Sequence, residues 1–294
     1  MKKFLFALLL SAGVLRLLAY LNRRRVTIVC YHGVTPREAP IPNDEHKLHV
    51  PFSLFVEHLD YLQRCYNIIS LEEFIKAHRD RRALPPRAVI LTFEDGIRNF
   101  FTVAAPELTR RGLPATTFII TGLTLPTLPV DSNHEWQPDD DSLFLSWPDV
   151  HELAGNNIQF GSHTVSHPKL VDLPLELAER ELTQSRAALR TQLQQAAFAL
   201  SYPYGEYSDE ICALTKKAGY SCGITTKPGS NDADSNLFAL KRIVISGDDD
   251  LPTFAARACG LTSWFSDFRD GTSKITVDVK PSVAYVATPL EEAD

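Results

Sequence analysis

From Val26 onward, short apolar runs alternate with amphipathic stretches, and this rhythm most narrows what the chain can become. A strand that is apolar at every position must be covered on both faces, and helices alternating with such strands cover them in an α/β domain with a parallel sheet. Residues 26–31 (VTIVCY) read as the first strand, and 88–93 (AVILTF), 115–120, 158–160, 197–202, 220–225 and 238–245 as the later ones. Helical patterns fall at 55–65, 71–78, 102–111, 147–154, 175–194 and 208–218, the first with Phe55, Leu59 and Leu62 at helical spacing. The polar, proline-containing segment 124–141 interrupts the rhythm and reads as a surface insertion of the kind that often carries function. No internal repeat is present.

With 294 residues, 44% of them hydrophobic, the chain has material for one large domain, placed at 26–266. Residues 267–294 alternate weakly and end in acidic residues, and they read as a tail of low order. The net charge of -6 and the lack of any long Lys/Arg block argue against a nucleic-acid partner. Cysteines at 30, 65, 212, 222 and 259 form no C-x-x-C pair, so they read as small buried hydrophobes and not as a zinc finger or disulfide framework. The acidic triplets Asp139 to Asp141 and Asp248 to Asp250 read as solvated loops.

The first 25 residues carry a targeting signal. Lys2 and Lys3 precede an apolar run from Phe4 to Leu15, Arg16 interrupts it, and Leu17 to Leu21 resume it before Arg23, Arg24 and Arg25. No A-x-A-like cleavage site precedes the arginine cluster, which favours an uncleaved membrane anchor over a cleaved signal peptide. Arg16 makes a full span costly, by roughly 2.5 kcal/mol or more near the bilayer centre, so a helix lying at the interface competes with a span. The segment therefore implies membrane association, with an extracytoplasmic site of action expected. Basic residues on both flanks leave the orientation open.

Three segments stand at the ends of predicted strands: Phe93-Glu94-Asp95-Gly96, Gly161 to His167 (GSHTVSH) and Ser201 to Gly205 (SYPYG). In an α/β barrel the loops after strand C-termini share one face, so these segments can meet. Two imidazoles, His163 and His167, with one carboxylate, Asp95, suit zinc or a similar divalent ion and leave a position open for water. An isolated HxxxH pair is weak, and the acidic pair at a second strand end is what raises it to a candidate metal site.

TFEDG resembles the TFDDG motif of the polysaccharide deacetylase family (carbohydrate esterase family 4), and HTVSH resembles its HTxxH motif. SYPYG is similar to the family's third motif, and VCYHGVT to the YHxV strand common among its members, so the resemblance covers roughly residues 26–260. It implies a distorted barrel of seven β/α units, a divalent metal that is most often Zn2+, and hydrolysis of N-acetyl groups on an amino-sugar polysaccharide or lipid-linked sugar. Position by position, it implies Asp95, His163 and His167 as metal ligands and Glu94 in the place of the aspartate that acts as general base. It also implies an oxyanion contact from the backbone N–H of Tyr204.

Three features depart from the family pattern. The base position holds Glu94 in place of Asp, and Ser201 stands where many relatives have an arginine that orients the base. The late Leu-x-His motif is absent, and no histidine follows His167. His32, at the end of the first strand, is the best-placed proton donor for the leaving amine, against an equal alternative that it is an imidazole satisfied at the barrel mouth. Trp136, Trp147 and Tyr204 are candidates for stacking on sugar faces, although Trp147 lies in a helical pattern and reads first as packing. The competing functions are a catalytically degenerate metal- and sugar-binding protein of the same fold, and a non-haem iron enzyme, which shares the two-histidine, one-carboxylate ligand set.

Overall fold

The computed structural model describes residues 2–36, 47–124, 144–193 and 198–261. In chain order, α1 (Lys2–Ser11) and α2 (Val14–Leu21) precede β1 (Thr27–Tyr31), and β2 (Gly33–Thr35) and β3 (His49–Pro51) form a small parallel pair. Then come α3 (Phe52–Cys65), β4 (Asn67–Ile68), α4 (Leu71–Arg79), β5 (Ala88–Phe93), α5 (Ala105–Arg111) and β6 (Ala115–Ile119). The chain continues through α6 (Trp147–Leu153), β7 (Ile158–Ser162), α7 (Leu175–Gln192), β8 (Ala199–Ser201), α8 (Asp209–Lys217), β9 (Cys222–Ile224), β10 (Ile243–Val244) and α9 (Leu251–Ala258).

The strands form one curled parallel sheet in the order β10-β1-β5-β6-β7-β8-β9, with β4 paired beside β5. Seven strands along the path agree with the distorted (β/α)7 barrel expected from the motifs. The segment that was expected to be one strand over 238–245 is split between two neighbours. Leu240 bridges to Ile224 of β9, whereas Ile243 and Val244 pair with Val29 and Cys30 of β1. A single irregular stretch thus ties the two sheet edges together, and it can do so only by interrupting its own strand.

Alternation along each strand sorts the core into two layers. Ile28, Ile90, Phe118, Cys222, Ile224 and Leu240 pack inside the curl, while Val29, Leu91, Ile119 and Phe160 pack outward under the helices. Gly161 lets β7 approach its neighbour, since a Cβ there would lie 2.4 Å from the Phe118 ring. Several helices start on side-chain caps: Ser70 and Ser208 accept from Glu73 and Ile211, and Ser146 forms a capping box with Asp149.

Several expectations need adjustment. The helix read at 102–111 begins with a π-helical turn at Phe100–Ala104 before α5. α9 falls in a stretch to which no helix was assigned. The triplet Asp248 to Asp250 is more than a solvated loop: Asp249 is buried and pairs with Arg257, and Asp250 caps α9. Trp147 is half-buried at the start of α6 and packs against the core. All five cysteines are free thiols, four of them buried. Trp136, Asp139 to Asp141 and the tail 267–294 lie outside the described residues. No single described helix is long and apolar enough to cross a membrane, and the apolar run at the start of the chain is a pair of helices bent by 78°.

Candidate active site

Parallel strands deliver their C-terminal ends to one rim, and the chemistry-bearing residues stand there. On β5 the inward positions run Ile90, Thr92 and then Glu94, just past the strand end. On β1 they run Ile28, Cys30 and His32. The next residue after Glu94 is Asp95, in the left-handed region with φ 66°. Thr164, His167 and Tyr204 share that region, with φ 67°, 59° and 59°. Non-glycine residues held there cost free energy that the surrounding structure must supply, and such residues gather at functional sites.

Asp95, His163 and His167 present one donor atom each within 4.8 Å of one another. His163 Nε2 lies 3.4 Å from Asp95 Oδ1 and 3.1 Å from His167 Nε2, and His167 Nε2 lies 3.8 Å from Asp95 Oδ1. Ligands at about 2.0–2.2 Å from a tetrahedral ion stand about 3.3–3.6 Å apart, so these separations fit a divalent metal. The tautomers fit as well. His163 Nδ1–H donates to the Ser201 carbonyl at 2.8 Å, which leaves Nε2 as the nitrogen facing Asp95. Burial lowers the His163 imidazole, but Glu94 and Asp95 outweigh it and raise it, so Nε2 holds a proton that an ion would displace. Burial raises the Asp95 carboxyl, but the hydrogen bond from that protonated His163 and the nearby imidazoles hold it well below the usual carboxylate range. Burial, with His163 alongside, pushes His167 down to about 4, the neutral form that a metal requires.

The loop that carries the two histidines is clamped from outside. Glu181 on α7 accepts from the backbone N–H of Val165 and Ser166 at 2.8 and 3.0 Å and from Ser166 Oγ at 2.7 Å. His167 N–H donates to Thr164 Oγ1 at 3.0 Å. Glu181 was not singled out in the sequence, where it sits in a charged helical pattern like any solvated glutamate.

The model of the family described as polysaccharide deacetylase matches residues 81–223, which include the Glu94-Asp95 and His163/His167 segments. Among curated proteins, the Bacillus subtilis protein YxkH, described as a polysaccharide deacetylase, is 26% identical over 223 residues, covering 76% of this chain and 72% of that one. The similarity throughout is to the polysaccharide deacetylase family. A poly-beta-1,6-N-acetyl-D-glucosamine N-deacetylase of Staphylococcus epidermidis is 27% identical, covering 61% of this chain and 62% of that relative. The Streptococcus pyogenes deacetylase PplD, solved in complex with acetate, superposes with a TM-score of 0.67 at 27% identity, over 80% of this chain and 98% of that one.

With Ser201 at the third motif, the orientation of Glu94 was the open question, and a residue from another strand answers it. Arg242, fully buried just before β10, pairs through Nη1 with Glu94 Oε1, and Ser201 Oγ donates to the same oxygen. The guanidinium is therefore present but arrives from the opposite end of the sheet path. Burial raises the Glu94 carboxyl, yet Arg242, with His163 and His32, holds it down at about 2, fully ionised at neutral pH. The signal available in the sequence was parity: Arg242 shares the inward face of Leu240, where a charge needs a buried partner.

His32 Nε2 stands 3.4 Å from Glu94 Oε2, and His32 Nδ1 is a buried nitrogen with no protein partner among the described residues. Tyr204 lies in a tight turn, its ring 4.8 Å from that of His167, with its carbonyl accepting from Thr226 Oγ1 at 3.3 Å. The six residues given metal-binding or catalytic roles from the sequence, Asp95, His163, His167, Glu94, His32 and Tyr204, thus stand on one rim. A second donor group, Cys30, His32 and Glu94, also lies within 4.8 Å. There the Arg242 Nη1, 3.5 Å from Cys30 Sγ and paired with Glu94, already supplies the positive charge. Burial also pushes the Cys30 thiol well up, away from the thiolate that a metal binds.

Proposed function

We propose that the chain is a metal-dependent hydrolase that removes N-acetyl groups from an amino-sugar polymer or lipid-linked sugar, with Asp95, His163 and His167 holding the metal. One observation carries this reading: an ionised carboxylate, Glu94, is fixed by Arg242 and Ser201 beside the three-ligand cluster, 3.8 Å from His163 Nε2. A protein that only bound metal and sugar would gain nothing from a buried, oriented base. The relatives named as poly-beta-1,6-N-acetyl-D-glucosamine N-deacetylases support N-acetylglucosamine polymers as the first substrates to test.

Bound at this cluster, the ion supplies Lewis acidity for the amide carbonyl and acidifies water, with Zn2+ the best match to the donor set. Glu94 takes the proton of the attacking water through the oxygen that faces His32. As the C–N bond breaks, the proton that Glu94 has taken passes to the leaving nitrogen through His32 Nε2, 3.4 Å from Glu94 Oε2. Burial lowers the His32 imidazole, so the ring starts neutral and accepts that proton before giving it up. The products are acetate and a free amine. Tyr204 contributes through its backbone N–H, which in this reading stabilises the developing oxyanion.

The decisive test is acetate release from chitooligosaccharides, poly-N-acetylglucosamine, peptidoglycan fragments and lipid-linked sugars, with and without chelator. Chelator-sensitive release from at least one substrate is the expected result. Metal analysis run in parallel should find about one zinc per chain, lost on substitution of Asp95, His163 or His167 by Ala. Full occupancy in all three variants would remove the site, and iron in place of zinc would favour the oxygenase-type reading.

A further inference from the structure

The apolar residues of α1 and α2 divide into two sets with different destinations. Phe6 and Leu9 pack inward against the core, and Leu15 and Ala19 are buried members of it. Phe4, Leu5, Leu8, Leu17, Tyr20 and Leu21 point outward, with Phe4 78% and Leu21 63% exposed. Among the described residues, the large hydrophobics comparably exposed elsewhere are Val171, Leu175 and Leu177. Soluble surfaces scatter such residues singly, and a concentration of them marks a contact face.

Charge indicates what the face contacts. The first 25 residues hold six basic residues and no acidic one, in a chain of net charge -6. Lys3 binds the Asp248 carbonyl and the Asp250 carboxylate, which ties α1 to the loop before α9, and Arg23 lies over the Tyr20 ring. Lys2, Arg16, Arg24 and Arg25 remain exposed on the same segment. Long basic side chains can cover apolar surface while their charged ends reach phosphate headgroups. A second copy of the same face would bring like charges together.

We propose that α1 and α2 form a docking face that seats the protein on an anionic lipid surface, lying within the interface and not crossing it. At about 1.5 Å per residue, neither a ten-residue nor an eight-residue helix approaches the ~30 Å hydrocarbon core. Straightening the 78° bend to make one span would pull Leu15 and Ala19 out of the protein core and set Arg16 inside the bilayer. The inward set thus holds the pair on the domain while the outward set meets lipid.

The test uses full-length protein, with residues 1–25 verified by mass spectrometry, in flotation assays with two kinds of vesicle: phosphatidylcholine alone, or phosphatidylcholine with phosphatidylglycerol. The protein should float with the anionic vesicles, bind neutral ones at least ~10-fold less, and be released by alkaline carbonate. Leu8→Glu and Leu17→Glu, both at exposed positions, should each lower binding ~10-fold with an unchanged melting temperature. Lys2→Glu with Arg24→Glu should lower binding to anionic vesicles only. Any of four results would overturn the proposal: no vesicle binding by wild type, equal binding by the Leu→Glu variants, resistance to carbonate extraction, or a native chain lacking these residues. Dimerisation abolished by Leu8→Glu without lipid binding would assign the face to a second copy.

Discussion

Glu94 is one methylene longer than the aspartate expected at its position, and on an unchanged backbone its carboxylate would overshoot by about 1 Å, enough to cost ~100-fold in rate. The structure gives that length a use: the side chain reaches Arg242 and Ser201 through one oxygen and faces His32 with the other. Glu94→Ala is therefore expected to keep its metal and lose at least ~100-fold in acetate release, with Glu94→Gln similar. Glu94→Asp should not gain activity, because shortening draws the carboxylate away from the guanidinium; a gain would favour the degenerate-binder reading. Arg242→Met leaves the buried charge of Glu94 uncompensated. Because Arg242 lowers the Glu94 carboxyl and burial raises it, removing the arginine should shift the acid limb of kcat/KM to higher pH, with a stability loss of about 3–5 kcal/mol. An unshifted acid limb would show that Arg242 does not set the ionisation of the base.

At the scale of elements, the rim is positioned by helices that never touch it with their own catalytic groups. α7 clamps the histidine loop through Glu181, so Glu181→Ala should weaken metal binding ~10–100-fold in a competition titration while leaving the three ligands in place. Unchanged affinity would reduce Glu181 to a packing residue. On the other side, His58 of α3 holds the start of α9. Its Nε2–H donates to the Asp249 carbonyl at 2.8 Å, its Nδ1 accepts from Tyr31 O–H at 3.2 Å, and its ring stacks on Phe254 at 3.9 Å. Burial pushes His58 down to about 4, from 6.5. The unfolded chain then takes up the proton first, so stability is complete above about pH 6.5 and falls as the pH drops towards 4. At pH 5 the loss is about 2 kcal/mol, and His58→Gln should flatten the fall in melting temperature between pH 7 and pH 5. What was legible at this scale follows from pattern strength. Residues 88–93 are apolar but for Thr92, and the strand matches the expectation residue for residue. α9 was missed because eight residues opening on Leu-Pro give too little periodicity to register. Arg242 was missed because a lone charge inside the strand read at 238–245 shows no partner until the fold brings Glu94 beside it.

For the whole molecule, the unsettled question was where the domain begins. The sequence places the barrel from Val26, with the preceding residues as a detachable anchor, because an apolar run with basic flanks looks the same whether it enters lipid or packs on protein. The break at Ala12 and Gly13, where Gly13 adopts φ 75°, carried the missing information, since it folds the run back so that one side can reach α9 and the core. The Asn22 side chain then donates to the Cys259 carbonyl at 2.9 Å, closing the first helices against the last described one. If this packing is part of the fold, the two faces of α2 must respond differently to the same truncation. Leu15→Ala removes a fully buried side chain and should cost about 2–5 kcal/mol, read as a drop in Tm of about 2–4 °C per kcal/mol. Leu17→Ala, 57% exposed, should stay within about 0.5 kcal/mol of wild type. Thermal unfolding of the two variants in the absence of lipid separates the cases, because neither membrane nor substrate enters the measurement. Equal melting temperatures would mean that α2 leaves the core in solution, and that the barrel from Val26 onward folds without it.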